Sequence, residues 1–146
     1  MSLESIRKLR MRVEEAVTME LAQITQDLVR MERRCDMLDV AIQAESETHR
    51  MQAEQGMAIE QVLEWQGRLE ARHAELKEAR CAVTTLTDAW NQTQIRLVEA
   101  SQERKIIDRL VTRRRQEGER ELRHREQHAT DEVAGRRHYS SGDRLS

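Results

Sequence analysis

His124 and His128 stand one helical turn apart, the arrangement in this sequence that comes nearest to metal chemistry. Two imidazoles at that spacing can share one zinc ion, but a catalytic zinc needs a third protein ligand. None accompanies them: there is no HExxH, and the intervening Glu126 sits among arginines, so both rings read as solvated. Cys35 and Cys81 lie 46 residues apart without a CxxC and read as free thiols in a reducing compartment. Neither makes a metal site. The glycines at 56, 67, 118, 135 and 142 are scattered and form no phosphate-cradling GxxxxGK[ST] loop. No GxSxG elbow or Cys/His dyad occurs either. No cofactor, small-molecule substrate or catalytic activity is expected.

The run Arg113, Arg114 and Arg115 could touch phosphates, since such side chains release counterions from nucleic acid. Acidic residues follow at once. Between Glu103 and Glu126 there are nine basic and six acidic residues and no aromatic ring to stack on a base. A protein partner with patches of both signs fits this segment better than nucleic acid does.

The elements that carry these residues follow from composition. Charged residues make up 36% of the 146-residue chain, and the aromatic complement is Trp65, Trp90 and Tyr139 with no Phe, so a thick core cannot be built. Proline is absent, and the dominant residue types are strong helix formers that lose little rotamer freedom in a helix. Long helices with a narrow buried stripe are expected. No apolar run approaches the roughly 20 residues that span a bilayer, and no signal-peptide stretch opens the sequence, which reads as cytoplasmic.

Apolar residues in the first half fall at Ile6, Leu9, Val13, Val17, Leu21, Ile24, Leu28, Met31, Cys35, Leu38 and Ile42. From Val17 the steps alternate strictly between three and four, the heptad seam of a left-handed coiled coil. The 11 residues from Ile6 to Val17 depart from that alternation and predict a local straightening of the supercoil. The seam then fades toward Gly56, which can take the positive φ of a chain reversal.

After the break one heptad set reads Val62, Leu69, Leu76, Val83, Trp90, Leu97, Arg104 and Val111; its companion reads Trp65, Arg72, Ala79, Leu86, Thr93, Ala100, Ile107 and Arg114. These predict an all-α fold: two long unequal helices in an antiparallel coiled-coil hairpin. Helix one is expected over about 3–52, the tip over 53–57 and helix two over 58–134, as one domain followed by a disordered tail at 135–146. A reversal near residue 56 puts residue 3 opposite about residue 109. Leu110 to about Ala134 is thereby left as a single helix, marginal unless a partner surrounds it. Trp90 is expected to pack against helix one, whereas Trp65, near the thin end of the seam, could anchor a partner.

The segment Glu126-Gln127-His128-Ala129-Thr130-Asp131-Glu132 resembles the EQ-x-x-x-DE motif near the C-terminus of the FliJ family of flagellar type III export proteins. The arginine-rich stretch Arg104 to Arg115 precedes it, as in that family. Trp65-Gln66-Gly67-Arg68-Leu69-Glu70 is similar to the family's aromatic-x-x-x-Leu-Glu start of helix two. The resemblance covers residues 3 to 134 and extends more loosely to the injectisome counterpart (YscO-like).

The resemblance implies a non-enzymatic stalk, like the γ stalk of rotary ATPases. Its paired termini would insert into a hexameric type III export ATPase (FliI-like) and promote its assembly and hydrolysis. The residues implied for that contact are Arg7, Arg10, Arg113, Arg114, Gln127, Asp131 and Glu132. Trp65, Leu69 and Arg72 would meet the export gate protein (FlhA-like) at the cytoplasmic face of the inner membrane, with Arg72 standing where a small residue is expected. Export chaperones are further implied partners. A self-associating structural coiled coil, in which the overhang pairs with a second copy, is the competing expectation.

Overall fold

In the computed structural model the backbone is described from Ser2 to Leu145 and the side chains from Ser2 to Tyr139. Two helices, α1 (Leu3–Gln55) and α2 (Ile59–Leu145), account for nearly all of it, and no strand occurs among the described residues. The fold is all-α, with the two helices packed antiparallel.

The helix boundaries have local causes. Ser2 caps α1: its Oγ accepts the Ser5 amide at 3.2 Å and its carbonyl accepts the Ile6 amide at 3.2 Å, satisfying donors that would otherwise face only water. At the other end Gly56 has φ +95° and donates to the Ala53 carbonyl at 3.2 Å. No atom lies within 4 Å of the position its Cβ would take, so it is the backbone angle, not crowding, that calls for glycine. Gln61 then reaches back so that its Oε1 accepts the Ala58 amide at 3.3 Å, half of a capping box at the start of α2. The non-helical residues are 56–58, a tighter and slightly later reversal than the expected 53–57.

Gly135 does not end α2, whose backbone stays helical to Leu145 through most of the expected tail at 135–146. Without proline, one glycine costs only about 1 kcal/mol relative to alanine and need not stop a helix. The side chains of that tail from Ser140 onward, and Ser146 altogether, lie outside the described residues.

The chain divides into two compact portions, Val13–Ala100 and Met1–Arg12 with Ser101–Ser146. In the first, the buried side chains are Val17, Leu38, Leu76, Ala79, Thr93 and Ala100, and the half-buried ones follow the heptad positions between them. Met31, Cys35 and Ile42 pack around Leu38, Leu76 and Ala79. Trp90 is half-buried and donates its Nε1–H to Thr25 Oγ1 at 3.1 Å across the helices, giving the large ring a polar tether. Cross-helix ion pairs run along this portion, with Arg72–Glu45 at 3.5 Å on the seam and Arg96–Glu20 at 3.0 Å, Arg80–Asp39 at 3.4 Å and Arg34–Glu75 at 3.8 Å at its edges. Each is exposed enough to contribute little energy, so their value lies in fixing antiparallel register.

The expected N-terminal seam needs correction. Leu9 and Val13, placed on it by hydrophobicity, are 48% and 40% exposed. Counting back from Val17 in steps of three and four, Glu14, Arg10, Arg7 and Leu3 are half-buried, and Ile6, also half-buried, keeps the place the apolar pattern gave it. The seam there changes chemistry, because arginine stems can line a seam while their guanidiniums stay wet at its rim. The same happens toward the tip, where Ile42 is followed by half-buried Glu45 and His49.

Candidate protein-binding surfaces

At the chain termini the polar seam becomes a charge network. Arg7 donates through Nη2 to Glu4 Oε1 at 2.7 Å and through Nε to the same carboxylate at 3.1 Å. That bond, supplemented by the charges of Lys8 and Arg115, holds the Glu4 carboxyl below its ordinary value. Arg7 is held correspondingly above its own by Glu4, with Asp108 adding to the effect. Arg10 pairs with Glu103 at 2.7 Å between the helices, and Arg104 pairs with Asp108 at 2.7 Å along α2. Arg7 and Arg10 thus belong to one cluster with Glu4, Glu103 and Asp108. Of the three consecutive arginines it is Arg115, absent from the residues implied for the ATPase contact, whose charge acts on Glu4.

Arg113 and Arg114 are not part of that cluster. They open a different region: every residue from Thr112 to Tyr139 is exposed. The arithmetic of an unequal hairpin anticipates this bare helix. Arg113 and Asp131 are separated by about five helical turns and so are in line, as are Arg114 and Glu132, with Gln127 close to the first pair's line. One side of the bare helix therefore carries all five residues, basic at one end and acidic at the other. Ion pairs within the helix support it, Arg125–Glu121 at 2.8 Å and Arg123–Glu119 at 4.0 Å, and His128 Nδ1 lies 3.5 Å from Glu132 Oε1. His128 is thereby engaged with a carboxylate, and no group of three or more potential metal ligands occurs among the described residues.

Near the reversal, Trp65, Leu69 and Arg72 are all half-buried. Trp65 stacks on His49 with ring centroids 3.6 Å apart and planes 10° from parallel. Arg72 stands on the seam, where it pairs with Glu45 at 3.5 Å. Packing accounts for part of each residue, yet polar needs are left over. Trp65 Nε1, His49 Nδ1 and Glu45 Oε2 are buried without a hydrogen-bond partner, three unmet groups in one stretch of the hairpin. The most exposed large apolar side chains here are Ile59 at 76% and Leu63 at 61% exposure, one turn apart. Sequence reading passed over them because they fall outside both heptad sets. That same exclusion, applied to large apolar residues beside a reversal, is the signal that would have found them.

Cys35 and Cys81 are both free thiols. No described helix is long and apolar enough to cross a membrane.

Taken together, these features define a class: an antiparallel α-helical coiled-coil hairpin whose seam turns from apolar to charged toward its ends. Within that class the chain belongs to the FliJ family, since the sequence model for the flagellar FliJ protein matches residues 1–143, nearly the whole chain. It is therefore a component of flagellar type III export, of a family whose members are non-catalytic. No curated protein and no solved structure gives a match.

Proposed function

We propose that this protein is the central stalk and activator of the flagellar export ATPase, inserting its charged terminal region into the ATPase hexamer. The observation that supports the reading best is the bare helix from Thr112 to Tyr139. A helix polar on all sides gains no burial from its own chain, so ordering it in function calls for a surrounding partner. A ring interior of mixed charge would complement a surface with Arg113 and Arg114 at one end and Asp131 and Glu132 at the other, with Gln127 between them. Arg7 and Arg10 would extend the contact surface onto α1. Unequal contacts with six equivalent sites would let one stalk bias them in turn, a shift of populations and not a chemical step.

At the reversal, Trp65, Leu69 and Arg72 are the proposed contact with the export gate protein, at the cytoplasmic face of the inner membrane. The unmet polar atoms of Trp65, His49 and Glu45 support this assignment, because a partner could supply their hydrogen bonds. Export chaperones would be further partners of the same complex.

The test is hydrolysis and co-purification with the neighbouring ATPase. Wild-type protein is expected to co-purify with the ATPase and stimulate it. A double charge reversal, Arg113→Glu with Arg114→Glu, is expected to weaken the complex while far-UV circular dichroism stays unchanged, since both residues are exposed. A self-associating structural coiled coil is the competing reading, favoured by the same bare helix. A concentration-independent dimer in sedimentation, with no stimulation of the ATPase at any ratio, would establish that reading and exclude the stalk.

A further inference from the structure

Beside the seam of the central hairpin, the flank of α1 from Thr25 to Ala41 forms a groove of about 870 Å³, edged by Arg72 and Glu75 of α2. Its lining combines Val29, Met31, Met37 and Leu38 with the guanidiniums of Arg30, Arg33 and Arg34. Met37 is 73% exposed, an unusual position for a large apolar side chain with neighbours of its own kind. Of four arginines and one carboxylate in the lining, Arg34 takes the carboxylate, Glu75, at 3.8 Å. Arg30 makes only a long contact of 3.9 Å to Asp27, with 77% of its side chain exposed, and Arg33 has no ion-pair partner among the described residues. The groove is thus apolar along its floor and carries excess positive charge at its rim.

We infer that this groove receives an amphipathic, acidic α-helix from another protein. Thr25 to Ala41 spans about 24 Å at 1.5 Å per residue, the length of a four-to-five-turn helix lying alongside. Helix-in-groove recognition needs apolar anchors repeated along one face, one to two turns apart, and a complementary rim. Val29 and Met37 supply the anchors, and an unbranched methionine can adapt its thioether to differing partner side chains. The arginines select carboxylates on the incoming helix. A second copy of this chain is disfavoured as the occupant, because a two-fold contact through this face would set Arg30, Arg33 and Arg34 against their own equivalents. Nucleic acid is disfavoured because no aromatic ring lines the groove to stack on a base.

The probe is a labelled helical peptide of about 16 residues, with leucine on one face and glutamate elsewhere, titrated against the full chain by fluorescence anisotropy. Its twin carries lysine in place of every glutamate. The acidic peptide is expected to bind about tenfold or more tightly than the twin, with Met37→Gln and Arg33→Glu each weakening it several-fold and leaving the melting curve unchanged. Equal affinity for the twins overturns the inference, as does binding indifferent to both substitutions. A dimer in sedimentation that Met37→Gln disperses would give the face to a second copy, and tighter binding of a single-stranded oligonucleotide would give it to nucleic acid. Binding here needs no ATPase, so failure would leave the stalk reading untouched.

Discussion

The central hairpin, Val13–Ala100, and the bare stretch Thr112–Tyr139 draw on much the same helix-forming and charged residue types, yet one is packed and the other lies open. The difference is one of spacing. In the hairpin, apolar residues recur every three or four positions on both helices, and ion pairs run across the helices to fix register. In the bare stretch the large apolar residues fall to Leu122 and Val133, both largely exposed, and the ion pairs turn inward along one helix. Two of these place glutamate N-terminal to arginine, Glu119 before Arg123 and Glu121 before Arg125, the orientation that best supports a single helix. Charge in the first region chooses a partner helix, and in the second it maintains a helix that has none.

The largest expected effect breaks this contrast most directly. Leu76→Ala, at a site 4% exposed and packed with Leu38 and Ala79, should cost about 2–3 kcal/mol in urea unfolding, toward the low end for buried leucine because a two-helix seam can partly collapse. Leu122→Ala, 57% exposed, should change stability by no more than about 0.5 kcal/mol. Comparable losses at the two sites would mean that the bare stretch is packed in solution, and the distinction between the regions would fail.

A smaller effect belongs to the reversal that makes the hairpin. Gly56→Ala keeps the space free but forces a side chain into φ +95°, which should cost about 1–2 kcal/mol and lower the melting temperature. Gly118→Ala, in the bare helix with nothing near its Cβ position, should instead stabilise local helicity by about 1 kcal/mol. Opposite signs from the same substitution would sharpen the comparison. A destabilising Gly118→Ala would point to a bend there.

The fold was legible in the sequence because its determinants are periodic. Both heptad sets of α2 fall on buried or half-buried positions, except that Arg114 is exposed where the partner helix has run out. What hydrophobicity could not follow was a seam that continues in polar residues. Leu9 and Val13 attracted the reading because they are apolar, whereas the positions facing α2 are Arg10 and Glu14. A rule of spacing alone, carried through from Val17, finds them. The candidate contact residues divide along the same line. Arg113, Arg114, Gln127, Asp131 and Glu132 come from motif and lie together on one side of the bare helix, but the link between Glu4 and Arg115 depends on register across two helices. No local pattern carries that information.

The finest prediction uses this link. The Glu4 carboxyl is held below its ordinary value of 4.5, first by the hydrogen bond from Arg7 and then by the charges of Arg7, Lys8 and Arg115. A carboxylate with a depressed folded-state value contributes stability that is present above the unfolded value and is lost as pH falls through the folded one. Titration of the Glu4 carboxyl by NMR should therefore give a midpoint below 4.5, and order at the α1 N-terminus should decline as the solution is acidified through it. Arg7→Gln should return the midpoint most of the way to the ordinary value. Arg115→Gln should move it in the same direction by less, because only a longer-range charge is removed. An unchanged midpoint in Arg115→Gln would mean that the first turn of the bare helix and the start of α1 do not sense one another, and Arg7 and Arg10 would then have to be tested as a contact surface separate from Arg113 and Arg114.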